Sequence, residues 1–135
     1  MDYKLVDLNE INVISVKAGT FPEGISEAFC MLESKLPSLR GRKFYGILLS
    51  KPEGIEYGAC MVPLNENEIT TLNLEPYTIP GGKYCKTIIK DWENKTKDIK
   101  KVFNNLAENQ RVDNSRPQIE FYKSRKDLIL MLPVN

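Results

Sequence analysis

The chain has 135 residues, 41% of them apolar and 27% charged, which suits one globular domain with a real core. Its 19 Lys and Arg nearly balance 18 Asp and Glu, and the net charge of +1 gives no electrostatic reason to expect DNA, RNA or an anionic membrane as partner. The absence of histidine excludes a Ser-His-Asp or Cys-His nucleophile and any His-based metal site, and no apolar run is long enough to span a membrane.

The N-terminal Met-Asp-Tyr-Lys-Leu-Val-Asp has no signal-peptide character. Cys30, Cys60 and Cys85 lie far apart with no C-x-x-C, so reduced, mostly buried thiols in a cytoplasmic protein are expected. Residues 12–17 read as a strand and residues 19–24 as a turn holding Pro22. Ile25, Ala28, Phe29, Leu32 and Leu36 recur at helical spacing, and Pro37 and Gly41 mark that helix's exit. Residues 44–49 and 57–64 read as a hairpin around the turn at 51–54.

Residues 65–68 read as a polar connector. Strand character then runs from Thr71 to Ile79, breaks at Pro80-Gly81-Gly82 and resumes over residues 83–89. Residues 95–108 read as a helix with Ile99, Val102, Phe103 and Leu106 inward. A last hairpin joins residues 118–122 to 127–134.

The two halves look alike. Met61-Val62-Pro63-Leu64 recurs as Met131-Leu132-Pro133-Val134, a displacement of 70 positions (61 to 131) that also lays Phe29, Leu32 and Leu36 on Ile99, Val102 and Leu106. This predicts one domain over residues 1–135 built of two repeats, about 11–64 and 70–135, each strand-helix-strand-strand. The expected fold is α+β, with pseudo-twofold repeats forming a curved antiparallel sheet and two helices on one face. The other face is then solvated or lined for a ligand.

Ile119-Glu120-Phe121-Tyr122 carries the most suggestive chemistry. Strand alternation puts Glu120 and Tyr122 on one face, Ile119 and Phe121 on the other. A half-buried strand with a solvent-exposed Glu would look the same.

Several pieces resemble the GyrI-like, or AraC-type, effector-binding domain family: Ile79-Pro80-Gly81-Gly82-Lys83-Tyr84, the amphipathic helix that follows, Ile119-Glu120-Phe121-Tyr122, and Leu132-Pro133-Val134. Tyr45-Gly46-Ile47 and residues 57–62 extend the resemblance into the first half. It implies a cleft between two pseudo-symmetric halves that binds bulky, often cationic, aromatic compounds. It also implies Glu120 as the acid of the cleft, accompanied by Tyr122. Laying the Tyr45 strand on the Glu120 strand puts Tyr45 opposite the acid, and Tyr57 lies on the neighbouring strand; each is read as cleft wall, with a core or rim role as the alternative, and Trp92, in a strand-to-helix turn, either overhangs the cleft or caps the core. Phe29, Phe103 and the methionines read as core.

The chain departs from the family at Lys90-Asp91-Trp92-Glu93, where relatives commonly carry a His and a Gly, and it lacks the Trp-Trp segment of hydrolytic relatives. The expected function is a stand-alone sensor or sequestering protein for hydrophobic cations, with no metal, no cofactor, no catalytic residue and no direct nucleic-acid contact. The alternatives are a gyrase-inhibitor-like role with DNA gyrase or a regulator protein as partner, and a small hydrolase using Glu120 as acid or base.

Overall fold

Eight strands and three helices are present in the computed structural model, which describes residues 2–135. The strands are β1 (Lys4–Leu8), β2 (Ile11–Lys17), β3 (Phe44–Lys51), β4 (Gly54–Met61), β5 (Glu75–Ile79), β6 (Gly82–Lys90), β7 (Gln118–Tyr122) and β8 (Asp127–Pro133). The helices are α1 (Ile25–Ser34), α2 (Glu66–Thr71) and α3 (Ile99–Ala107). All pairings are antiparallel, in the order β1-β6-β8-β7-β3-β4-β2-β5.

That order forces curvature. β1 and β2 sit six strand spacings apart, about 29 Å in a flat sheet. Only Asn9 and Glu10 join them, and three residue steps reach about 11 Å. Pro80 and Gly81 join β5 to β6 under the same constraint. The sheet therefore curls until its ends meet, and a Cβ on Gly81 would stand 2.7 Å from the Leu8 carbonyl oxygen. The curl closes on a cluster that includes Val13, Tyr45, Ile47, Ile79, Tyr84, Ile119 and Met131.

A two-layer reading expects the face away from the helices to be solvated or ligand-lined; instead the side chains of this cluster fill its centre. The opposite face carries the helices. Ala28 and Leu32 of α1 pack on Ile14, Ala59 and Met61. Phe103 and Leu106 of α3 pack on Cys85, Leu128, Leu130 and Leu132.

The strand order is symmetric about the β7–β3 junction, and β1 and β5 are exchanged onto each other's halves. Its register differs from the displacement read in the sequence. The pair Ile14–Met61 corresponds to Cys85–Leu132, a displacement of 71 (14 to 85, 61 to 132). Met61 lies on the helix face and Met131 on the enclosed face. One position of slip exchanges the faces of a strand, so the Met-Val-Pro-Leu match does not superpose in space.

Three local expectations are also revised. Lys4–Leu8 is a strand, although no strand was read ahead of residue 12. Residues 92–98 form two 3-10 turns before α3, because Asp91 adopts φ 54° and Lys95 φ −130°. Residues 65–71, read as a connector running into a strand, form α2 instead. The Asn65 side chain accepts from the Glu68 amide (3.2 Å), and the Glu68 carboxylate accepts from the Leu64 amide (2.7 Å), a reciprocal cap.

Glu68 also accepts from both terminal nitrogens of the buried Arg42 guanidinium, at 2.9 and 2.7 Å. Arg42 stands two residues before Phe44, the first residue of β3, so this pair fixes the strand's entry. Its hydrogen bonds hold the Glu68 carboxyl below its usual range. Such a group stabilises the fold above the ordinary carboxylate pKa, and the gain is lost as pH falls through the lowered value. Glu68→Gln is expected to cost about 1–2 kcal/mol at neutral pH. In urea titrations the gap to the parent should close under acid; a gap that persists there would show that charge is not its cause.

Candidate functional site

α1 covers β2 and β4, and α3 covers β6 and β8, so the central strands β7 and β3 are left bare between the helices. The gap is a cleft of about 870 Å³. Glu120, Tyr122 and Phe44 face it from the sheet. Ile25 and Phe29 wall it from α1, and Trp92 and Ile99 from the other side.

Glu120 is 6% exposed. Tyr57 donates its hydroxyl to Glu120 Oε1 at 2.5 Å, and Tyr122 donates to the same oxygen at 2.7 Å. The other oxygen, Oε2, takes no donor among the described residues. Among the described residues no fully buried side-chain polar atom lacks a partner, so Oε2 is the oxygen left to the cleft. Gly46 pairs directly with Glu120 across the β3–β7 ladder. A Cβ there would fall 1.9 Å from the Tyr57 hydroxyl and 2.6 Å from Glu120 Oε1. The carboxyl–phenol cluster therefore fits only because position 46 has no side chain.

The aromatic walls interlock. Phe29 meets the Tyr122 ring edge to face at 5.2 Å, and Trp92 meets it likewise at 5.1 Å. Trp92 Nε1 donates to the Ser124 carbonyl (2.9 Å), which ties the turn after β6 to the β7–β8 turn. At the mouth, the α1 side brings Glu23 and Glu33, and the opposite side brings Lys97 and Arg125.

Burial pushes the Glu120 carboxyl above its ordinary range, with the two phenol hydrogen bonds pulling against it. Burial, then the Glu120 charge, raises both Tyr57 and Tyr122, so they stay protonated donors. With both phenols on Oε1, a proton on the carboxyl belongs on Oε2, facing the cleft.

A raised carboxyl keeps its proton in the folded state after the unfolded chain has lost it. Its contribution is fully present below the ordinary carboxylate pKa and is lost as pH rises through the raised value. Unliganded protein should therefore lose stability across that window relative to Glu120→Gln, which cannot titrate there. Urea midpoints that run parallel in pH for the two proteins would refute this.

Of the residues singled out in sequence, Glu120, Tyr122 and Trp92 come together in the cleft. Tyr57 is 1% exposed and supports Glu120 from beneath rather than lining the opening. Tyr45 is not with them. It pairs with Phe121, stacks on that ring at 4.7 Å and points into the enclosed core. The residue opposite Glu120 is Gly46, one position along, and that single step puts Tyr45 on the other face. Phe29, read as core, lines the cleft. The spacing held a hint: Ile25, Phe29 and Glu33 run i, i+4, i+8 beside the buried Ala28 and Leu32, a stripe wider than one sheet contact needs. Phe103, Met61 and Met131 are core as expected, whereas Met31 is exposed. Among the described residues no cluster of three Cys, Asp or Glu side chains is placed to hold a metal, and no helix is long and apolar enough to cross a membrane.

Comparison with solved structures finds this architecture elsewhere. An integron cassette protein from Vibrio cholerae, VCH_CASS2, superposes with a TM-score of 0.74 at 15% identity, over 98% of this chain and 95% of that one. SAV2435, solved bound to tetraphenylphosphonium, gives 0.67 at 14% identity over 100% and 94%. The EcmrR C-terminal domain gives 0.65 at 13% over 99% and 97%. The likenesses fit a GyrI-like effector-binding fold. At these identities they establish the fold alone. No family model and no curated protein sequence matches the chain.

Proposed function

We propose that this protein binds hydrophobic, cationic aromatic small molecules in the cleft between α1 and α3, with Glu120 as counter-charge. One observation carries the reading: a carboxyl buried on the floor of an aromatic cleft, held by two phenols and matched by no cation among the described residues. Ionising it unpaired is costly, and a cation against Oε2 supplies the missing partner. Tyr122, Phe29 and Trp92 offer π faces and apolar area, which attract flat cations without demanding one shape. The likeness to SAV2435 bound to tetraphenylphosphonium supports the choice of ligand class.

Trp92, the single tryptophan, stands in the cleft wall and reports on occupancy. Titration with tetraphenylphosphonium should change its emission saturably and raise the melting temperature in step. No change in emission, melting temperature or calorimetric heat up to millimolar concentration would sink the proposal.

A further inference from the structure

The two walls of the cleft mouth carry opposite charge. Glu23 and Glu33 come from the α1 side, and Lys97 and Arg125 from the side built by the 3-10 turns and the β7–β8 turn. None of the four forms an ion pair among the described residues, although other charged side chains nearby in sequence do. The basic wall is also held in place. Trp92 binds the Ser124 carbonyl, and Ser124 Oγ accepts from the Lys126 and Asp127 amides, at 3.1 and 3.0 Å, which fixes the turn that carries Arg125. A ligand that presents only positive charge would sit against Glu120 with two unneutralised cations facing its outer end.

Resting on the function proposed above, we infer that the preferred ligand is amphoteric: an aromatic body whose cationic end meets Glu120 and whose acidic group reaches Lys97 and Arg125. With Glu120 ionised, the lining holds three acids and two bases, and Lys97 and Arg125 are its only basic groups among the described residues. Two exposed pairs each add a modest gain, so a free acid should bind about three- to tenfold tighter than its neutral ester.

A matched dye pair tests this: a rhodamine with a free benzoate and the methyl ester of the same dye, followed by fluorescence polarisation, with the xanthylium absorbance checked to confirm the open form. The free acid should bind tighter, and the double variant Lys97→Ala/Arg125→Ala should abolish the preference. Both side chains are exposed and make no hydrogen bond or ion pair among the described residues, so the variant should fold. Tetraphenylphosphonium, which has no acid, should bind the double variant as well as or better than the parent. An ester that binds the parent as tightly as the acid overturns the inference and leaves the proposed function standing. If neither dye nor tetraphenylphosphonium binds, both fall.

Discussion

Replacing Glu120 by Gln is expected to weaken tetraphenylphosphonium binding roughly 30- to 150-fold, the equivalent of about 2–3 kcal/mol for removing the charged partner of a desolvated ion. The amide is nearly isosteric. Its oxygen can keep both phenol donors, and its NH2 takes the place of Oε2, so the cluster survives while the charge is lost. Stability should not suffer, because the variant no longer holds a carboxyl whose ionisation burial opposes. The pH profile separates charge from shape. A permanent cation binds the ionised form, so affinity of the parent should rise with pH through the raised pKa of Glu120 and then level off. The variant should be flat. Calorimetry in buffers of different ionisation enthalpy should show proton release on binding to the parent alone. A dissociation constant for the variant within threefold of the parent would remove Glu120 from the site.

Gly46→Ala carries the largest expected effect on the fold. The added methyl would stand 1.9 Å from the Tyr57 hydroxyl and 2.6 Å from Glu120 Oε1. Neither group can retreat easily: Tyr57 is fully buried, and β3 is laddered on both sides, to β4 and β7. Overpacking at such a site costs about 2–3 kcal/mol, or roughly 5–15 °C in melting temperature for a chain of this size. Cation binding should fall with it, because the carboxyl must turn away from the cleft floor. Tyr57→Phe removes the most crowded atom, so the double variant Gly46→Ala/Tyr57→Phe should recover part of the loss. An alanine variant that melts with the parent would mean that the cluster is not as tightly set as these distances require.

Local chemistry in the chain was enough to determine part of this protein. The absence of histidine, the helical stripes of α1 and α3 and the shared face of Glu120 and Tyr122 rest on composition or on periodicities of 3.6 and 2, and these act within a few residues. The sequence placed Trp92 in the turn after β6 but left open whether it caps the core or overhangs the cleft. Tertiary structure decided the rest. The parity of a strand says which residues share a face but not which face is enclosed, and that depended on two-residue links joining strands six places apart in the sheet. Register between β3 and β7 was a non-local matter, so Gly46 rather than Tyr45 met Glu120, and one step along the strand moved an expected cleft aromatic into the core. Phe29 became a wall because α1 and α3 cover the outer strands and leave the middle bare. Tyr57 became a support because Gly46, across from Glu120, leaves room for its hydroxyl. The segment 65–71 turned helical because the Asn65 side chain caps the Glu68 amide, the Glu68 carboxylate caps the Leu64 amide, and Arg42, far away in sequence, neutralises the acid. Apart from the Asn65–Glu68 cap, which is local to the sequence, these outcomes depend on contacts between residues distant in the chain, which a pattern read along it does not contain.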